Sequence, residues 1–270
     1  MASPVSDSYA AASGQQITAG RFVLGGNKRI AIWGQSNAIG RADRADISAS
    51  PLSSDAGLAT YDSGTFSRVY IWTGSAFAQL TPASNNGCSA GQFGPEFGLA
   101  VRWMRETSSG NLYLEKEAFS GVSITYFEPY VWPATGMFSR HSSATTWLTN
   151  NGITAQDAGW LWIQGESDYT QAQSWYQTRL EALIQARTDS GLQTAATKRV
   201  LVQMASGSSQ YGANVAAAKS AIAAASPTNT MALSAPFYMK ADNLHQNGRG
   251  QVQIGYDAFE TIFGASHIAT

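Results

Sequence analysis

The sequence predicts an α/β domain: a mostly parallel sheet with helices on both of its faces. Three observations lead there. Apolar runs of strand length alternate with segments of helical periodicity along most of the chain. Two of those runs, like the first one, stop at polar turns containing glycine, which a parallel sheet gathers on one edge. The 270 residues are 44% hydrophobic, enough to bury about three-quarters of the extended surface in a single core.

Residues 1–26 read as a flexible lead-in and 27–270 as one domain. Met1 to Gln16 is rich in Ala and Ser, but it lacks the basic start and continuous apolar centre of a signal peptide. Localisation stays open, with a secreted, virion or cell-surface setting expected ahead of the cytoplasm. Arg29 to Trp33 is a short apolar run that ends at Gly34, as a buried strand would. Val69 to Trp72 and Ala76 to Leu80 flank Thr73-Gly74-Ser75, a hairpin pattern expected to lie outside the main sheet. Gly94-Pro95-Glu96 opens a helix, with Pro in the first turn and an acidic residue at the positive end of the dipole. Leu112 to Ala118 is the next strand and ends at Ser120-Gly121; Ala158 to Ile163 follows and ends at Gln164-Gly165. Tyr176, Leu180, Leu183 and Ile184 mark a helix over 170–188. Arg199 to Met204 is a strand, Val215 to Ala225 carries a helical pattern, and Gly248 to Phe263 closes the chain as a helix.

Composition removes several classes of function. Seventeen basic residues against eighteen acidic ones leave a formal charge of -1, so no electrostatic footprint for nucleic acid or an anionic membrane is present. No window approaches eighteen apolar residues, which argues against a membrane span. A lone Cys88 rules out an internal disulfide framework and a Cys-rich zinc site, and three histidines leave little for a metal centre. No metal and no cofactor are expected. Only 13% of residues are charged while Trp and Tyr are plentiful, a surface suited to hydrogen bonding with sugars and stacking on them.

The chemistry is written in two distant segments. Ser36 follows the first strand in Gly34-Gln35-Ser36-Asn37, and Asp242-Asn243-Leu244-His245 stands near the C-terminus. A serine hydroxyl is a poor nucleophile until a base takes its proton, and the base needs a third group to hold it in one tautomer. On helix-like backbone Asp242 and His245, three apart, would share a face. Ester attack also makes an oxyanion, for which the Ser36 N–H, the Gly121 N–H and the Gln164 side-chain amide are candidate donors.

These blocks resemble the SGNH, or GDSL-like, hydrolase superfamily, and within it the carbohydrate esterase branch that includes acetylxylan esterases and sialate O-acetylesterases. Gly34 to Gly40 is similar to its first block, Ser120 to Ser123 to its second, Trp162-Ile163-Gln164-Gly165-Glu166-Ser167-Asp168 to its third, and Asp242 to His245 to its fifth. The chain departs from the branch at Ser120, where a first glycine is usual, and from the wider superfamily at Gln164, where asparagine is usual. The resemblance implies a flavodoxin-like three-layer α/β/α sandwich and removal of O-acetyl groups from carbohydrates through an acyl-enzyme. A general short-chain or aryl ester hydrolase and an inert carbohydrate-binding module are the alternatives.

Around the triad, Gln35, Asn37 and Glu166 are expected to support the site without touching substrate, and Asp168 is expected to bind the active-site loops or start the next helix. Tyr126 and Trp132, in the aromatic run after Gly121, are candidates for stacking on a sugar ring, with a hydrophobic lid as the alternative. His141 and His267 are expected on the solvated surface.

Overall fold

The computed structural model describes residues 16–18, 21–23, 25–48, 66–81, 85–128, 136–235 and 238–264. Gln16–Thr18 (β1) and Arg21–Val23 (β2) pair antiparallel inside the segment expected to be a flexible lead-in. Asn27–Gly34 (β3) then enters the centre of the molecule. Its last six residues are buried because the strand has neighbours on both edges and helices on both faces. Ser36–Ile39 (α1) is a single helical turn at the end of β3, and Ala42–Asp43 (β4) and Ala45–Ser48 (α2) follow it.

Val69–Trp72 (β5) and Phe77–Gln79 (β6) form the expected hairpin, yet the hairpin belongs to the main sheet. β5 pairs in parallel with Leu112–Ala118 (β8), with Val69 opposite Leu112 and Ile71 opposite Leu114. Its alternating pattern concealed this, because Val69 and Ile71 pack into the core while Trp72 and Phe77 turn to a second apolar cluster with Tyr113. Gln92–Phe93 (β7) pairs with β4, and Pro95–Glu106 (α3) starts where the Gly-Pro-Glu signal puts it.

Met137–Asn150 (α4) has no marker in the Ser- and Thr-rich sequence that encodes it; its buried face carries Met137, His141, Ala144 and Leu148. Ala155–Ile163 (β9), Gln173–Asp189 (α5), Lys198–Gln203 (β10), Ala213–Ala225 (α6) and Gly248–Phe263 (α7) agree with expectation to within a few residues. Thr230–Ser234 (β11), unread in the sequence, adds the far edge strand.

The main sheet runs β11-β10-β9-β3-β8-β5-β6, with every pair parallel except β5-β6. Setting aside the β5-β6 hairpin, the five remaining strands have the flavodoxin order 2-1-3-4-5. α3 and α7 cover one face around Ile32, Phe97, Leu99 and Phe259; α5 and α6 cover the other around Trp33, Trp160, Trp162 and Leu180. This is the three-layer α/β/α sandwich that the sequence predicted. In such a sheet the crevice opens where the strand order reverses, here between β3 and β9 at their C-terminal ends. Among the described residues no helix is long and apolar enough to cross a membrane.

Candidate active site

Ser36 sits at that crevice because β3 stops at Gly34 and the chain turns directly into α1. It is the first residue of the helix, where backbone N–H groups have no acceptor within the helix itself. The side chain is almost fully buried, at 4% exposure. Its Oγ lies 3.0 Å from His245 Nε2, and His245 Nδ1 lies 2.6 Å from Asp242 Oδ2. Residues 209 positions apart in sequence are thereby in hydrogen-bond contact.

Asp242 and His245 are not on helix-like backbone. Lys240 N–H bonds to the His245 carbonyl and Met239 bridges Gln246, so the segment is a tight loop, with Asn243 in the left-handed region at φ 52°. Asp242 reaches His245 because its Oδ1 accepts the N–H groups of Leu244 (2.9 Å) and His245 (2.9 Å), an Asx turn that leaves Oδ2 for the ring. Partial burial pushes the Asp242 carboxyl up. The His245 N–H, the His245 ring and the Leu244 N–H outweigh that and hold it down at about 2.

Asn37 fixes this loop to the turn that carries Ser36. Its Oδ1 accepts Gln246 N–H at 3.0 Å, and its Nδ2 donates to Leu244 O at 3.2 Å and Glu166 Oε1 at 2.6 Å. One carboxamide therefore holds the backbone on both sides of His245. Gln35 Oε1 accepts the N–H groups of Gly165 (3.4 Å) and Ser167 (3.3 Å), which joins the same turn to the end of β9.

Glu166 and Asp168 lie on a short 3-10 turn, not at the start of α5. Asp168, 1% exposed, accepts from Ser123 Oγ (2.6 Å), Ile124 N–H (2.7 Å) and Gln164 Nε2 (2.7 Å). Gln164 is equally buried. Its second Nε2 hydrogen goes to Val122 O at 3.2 Å, and its Oε1 accepts from Tyr176 Oη at 2.8 Å. Both of its donors are thus occupied in this conformation. Gly121 is exposed in a turn at φ +69°, with open space where a Cβ would stand.

Tyr126 is partly buried, its ring 5.0 Å from Phe119 and 5.6 Å from Phe127, on a 3-10 turn anchored by Ile124. Trp132 and His267 fall outside the described residues. His141 is not on the surface: it is 1% exposed on α4, with Nδ1 2.7 Å from Glu115 and Nε2 2.8 Å from Arg29. The Ser-rich context misled because the serines occupy the outer face of the same helix.

Lys219 went unnoticed in the sequence. It is fully buried on α6 and donates to Gln164 O (2.5 Å) and Val202 O (2.6 Å), tying together the ends of β9 and β10. Burial lowers its ammonium to about 8, with Glu166 and Asp168 opposing the shift. The available signal was a lysine on the Val215, Ala218, Ile222 face of an otherwise apolar helix. Among the described residues no cluster of His, Cys, Asp and Glu is arranged to hold a metal ion.

Comparison with known proteins gives this geometry a family. The family model described as carbohydrate esterase, sialic acid-specific acetylesterase, matches residues 28–263. The chain belongs to this family. The esterase is accordingly a carboxylic ester hydrolase of the carbohydrate acetylesterase class. No curated protein sequence matches it. A solved structure from Arabidopsis thaliana is similar over 88% of the esterase and 98% of that chain, with 21% identity and TM-score 0.65. NanS is similar over 87% and 95%, with 14% identity and TM-score 0.53. A carbohydrate acetylesterase from Xanthomonas citri is similar over 90% of the esterase and 58% of that chain, with 15% identity and TM-score 0.56. At these identities the likenesses establish the shared fold.

Proposed function

We propose that the esterase removes O-acetyl groups from carbohydrates with Ser36 as nucleophile, His245 as base and then acid, and Asp242 as the group that orients His245. The observation that carries this reading is the continuous relay from Ser36 Oγ through the imidazole to the Asp242 carboxylate, at 3.0 Å and 2.6 Å. Ser36 Oγ attacks the acetyl carbonyl carbon while Nε2 takes the hydroxyl proton, and the sugar oxygen leaves with that proton. Water, deprotonated by the same nitrogen, then cleaves the acyl-enzyme to acetate and restores the serine.

The developing oxyanion is received by the N–H groups of Ser36 and Gly121. Gln164 joins them by giving up its longer bond, the 3.2 Å contact to Val122 O, while Asp168 keeps the amide in place. Tyr126 packs at the edge of the same turn, where it contacts a sugar ring through its exposed side. The partner is an acetylated carbohydrate, and the reaction draws on no cofactor.

Ser36→Ala is expected to cut acetate release from acetylated xylan by about 10⁴-fold or more, as losses of a serine nucleophile do. Retention of near wild-type turnover in that variant would remove Ser36 from the chemistry. Activity is also expected to decline on the acid side, since a protonated imidazole cannot accept the serine proton. Comparison of acetate esters with butyrate and octanoate esters separates an acetylesterase from a general ester hydrolase, and faster cleavage of the long chains would favour the latter.

A further inference from the structure

A groove of about 580 Å3 lies between the β5-β6 turn and the outer face of α4. Trp72 and Trp147 line it, and Ser142, Ser143, Thr146 and Asn150 edge it. Its described lining residues are all uncharged. Arg140, beside the turn at Gly74, is engaged by Glu117 at 2.7 Å.

The two indoles are held rigidly. Phe77 lies 5.2 Å from Trp72 and 5.6 Å from Trp147, and is itself packed edge-on against Tyr113 at 5.1 Å. Trp72 is 7% exposed and forms the floor of the groove, while Trp147 is half-buried and presents the larger ring surface. Along α4 the hydroxyl and amide groups from Ser139 to Asn150 extend over roughly 16 Å. Indole surface flanked by neutral donors and acceptors matches the chemistry of an uncharged sugar chain, which offers apolar ring faces and many hydroxyls. It does not match a phosphate, an acidic peptide or a lipid chain.

The position is as informative as the composition. β5 is parallel to β8 and β3, so the strand ends, at Trp72, on the side of the sheet that carries Ser36. The register sets Trp72 level with Glu115 and Ala31, so two strand spacings across and five residues along the strand direction put the groove on the order of 20 Å from Ser36. A monosaccharide cannot occupy both places; a chain of sugars can.

We propose that this groove is a second binding site that takes unesterified sugar units of a neutral oligosaccharide or polysaccharide whose acetyl ester is held at Ser36. The proposal rests on the carbohydrate esterase reading above. Ser142→Arg and Ser143→Arg fill the groove from exposed positions that leave the core untouched, and Trp147→Ala removes one ring. Each is expected to raise KM for acetylated xylan by about tenfold while leaving kcat, and all turnover of 4-nitrophenyl acetate, unchanged. Xylohexaose is expected to alter the tryptophan fluorescence of the wild type and not that of the two arginine variants. Unchanged KM in the arginine variants, or equal losses on the small ester, would overturn the groove while leaving the esterase reading intact. Failure of the wild type to release acetate from any acetylated glycan, with 4-nitrophenyl acetate still cleaved, would instead overturn the carbohydrate reading.

Discussion

Asn37 shows how much of the local geometry can rest on one side chain. It ties the proposed nucleophile's turn to the peptide groups before and after His245 and to Glu166. Asn37→Asp replaces a donor with an acceptor, which sets a carboxylate against Leu244 O and the Glu166 carboxylate. The His245 loop should shift, and a shift of about 1 Å at a catalytic group costs on the order of 10²-fold in rate. The expected result is a loss of that order in kcat with KM nearly constant, read with 4-nitrophenyl acetate. An equal change in KM would point to a substrate contact instead. Asn37 was singled out from its place beside Ser36, but its three partners lie 129 to 209 residues away and no local pattern encodes them. Lys219 was less legible still, since its ligands are backbone carbonyls of two strands that become neighbours only on folding.

At the scale of elements, two helices on one face decide where His245 stands. α3 and α7 cross with almost no gap at Gly98 and Gly255; a Cβ on Gly255 would lie 2.7 Å from Gly98 Cα and would collide with Pro95 O. α7 begins three residues after His245, so its seating transmits to the loop that carries Asp242 and His245. Gly255→Leu should destabilise the fold by about 1–3 kcal/mol through overpacking, measured by urea denaturation. Wild-type stability in that variant would show that the crossing has room to open. The sequence indicated both helices, through Gly-Pro-Glu for α3 and apolar periodicity for α7, but not their contact. It also concealed α4, whose Ser- and Thr-rich outer face hides a buried stripe. The placement of β5 in the main sheet depended on parallel pairing with β8, which hairpin rules do not address.

Across the whole molecule, buried charge is concentrated on the face of the sheet that carries α4 and α5. Glu115, Glu117, Arg29, His141 and Arg187 are all nearly inaccessible there. Burial pushes the Glu117 carboxyl up to about 7; Arg140 opposes the shift and Glu115 adds to it. The folded state then holds a proton that the unfolded chain releases near its ordinary value of about 4.3. Stability should therefore decline as pH rises from about 4.3 to about 7 through this group, then level off. Asp242 works in the opposite sense, since its lowered carboxyl adds stability present above its ordinary range and lost as pH falls toward about 2. Glu117→Gln should flatten the decline between those two values in thermal melts taken across pH. A slope identical to wild type would show that Glu117 ionises normally.

The linear chain determined the layered α/β class, most strand and helix positions, the family blocks and the identity of the three groups at the proposed catalytic relay. Each of these depends on residues close together in sequence, where periodicity, turn chemistry and motif spacing act directly. Tertiary structure alone decided the loop that carries Asp242 and His245, the occupied state of the Gln164 amide, the burial of His141 and Lys219, and the aromatic groove beside α4. Those features are made of contacts between distant segments, and their energetics depend on solvent exclusion and hydrogen-bond partners that exist only once the sheet has assembled.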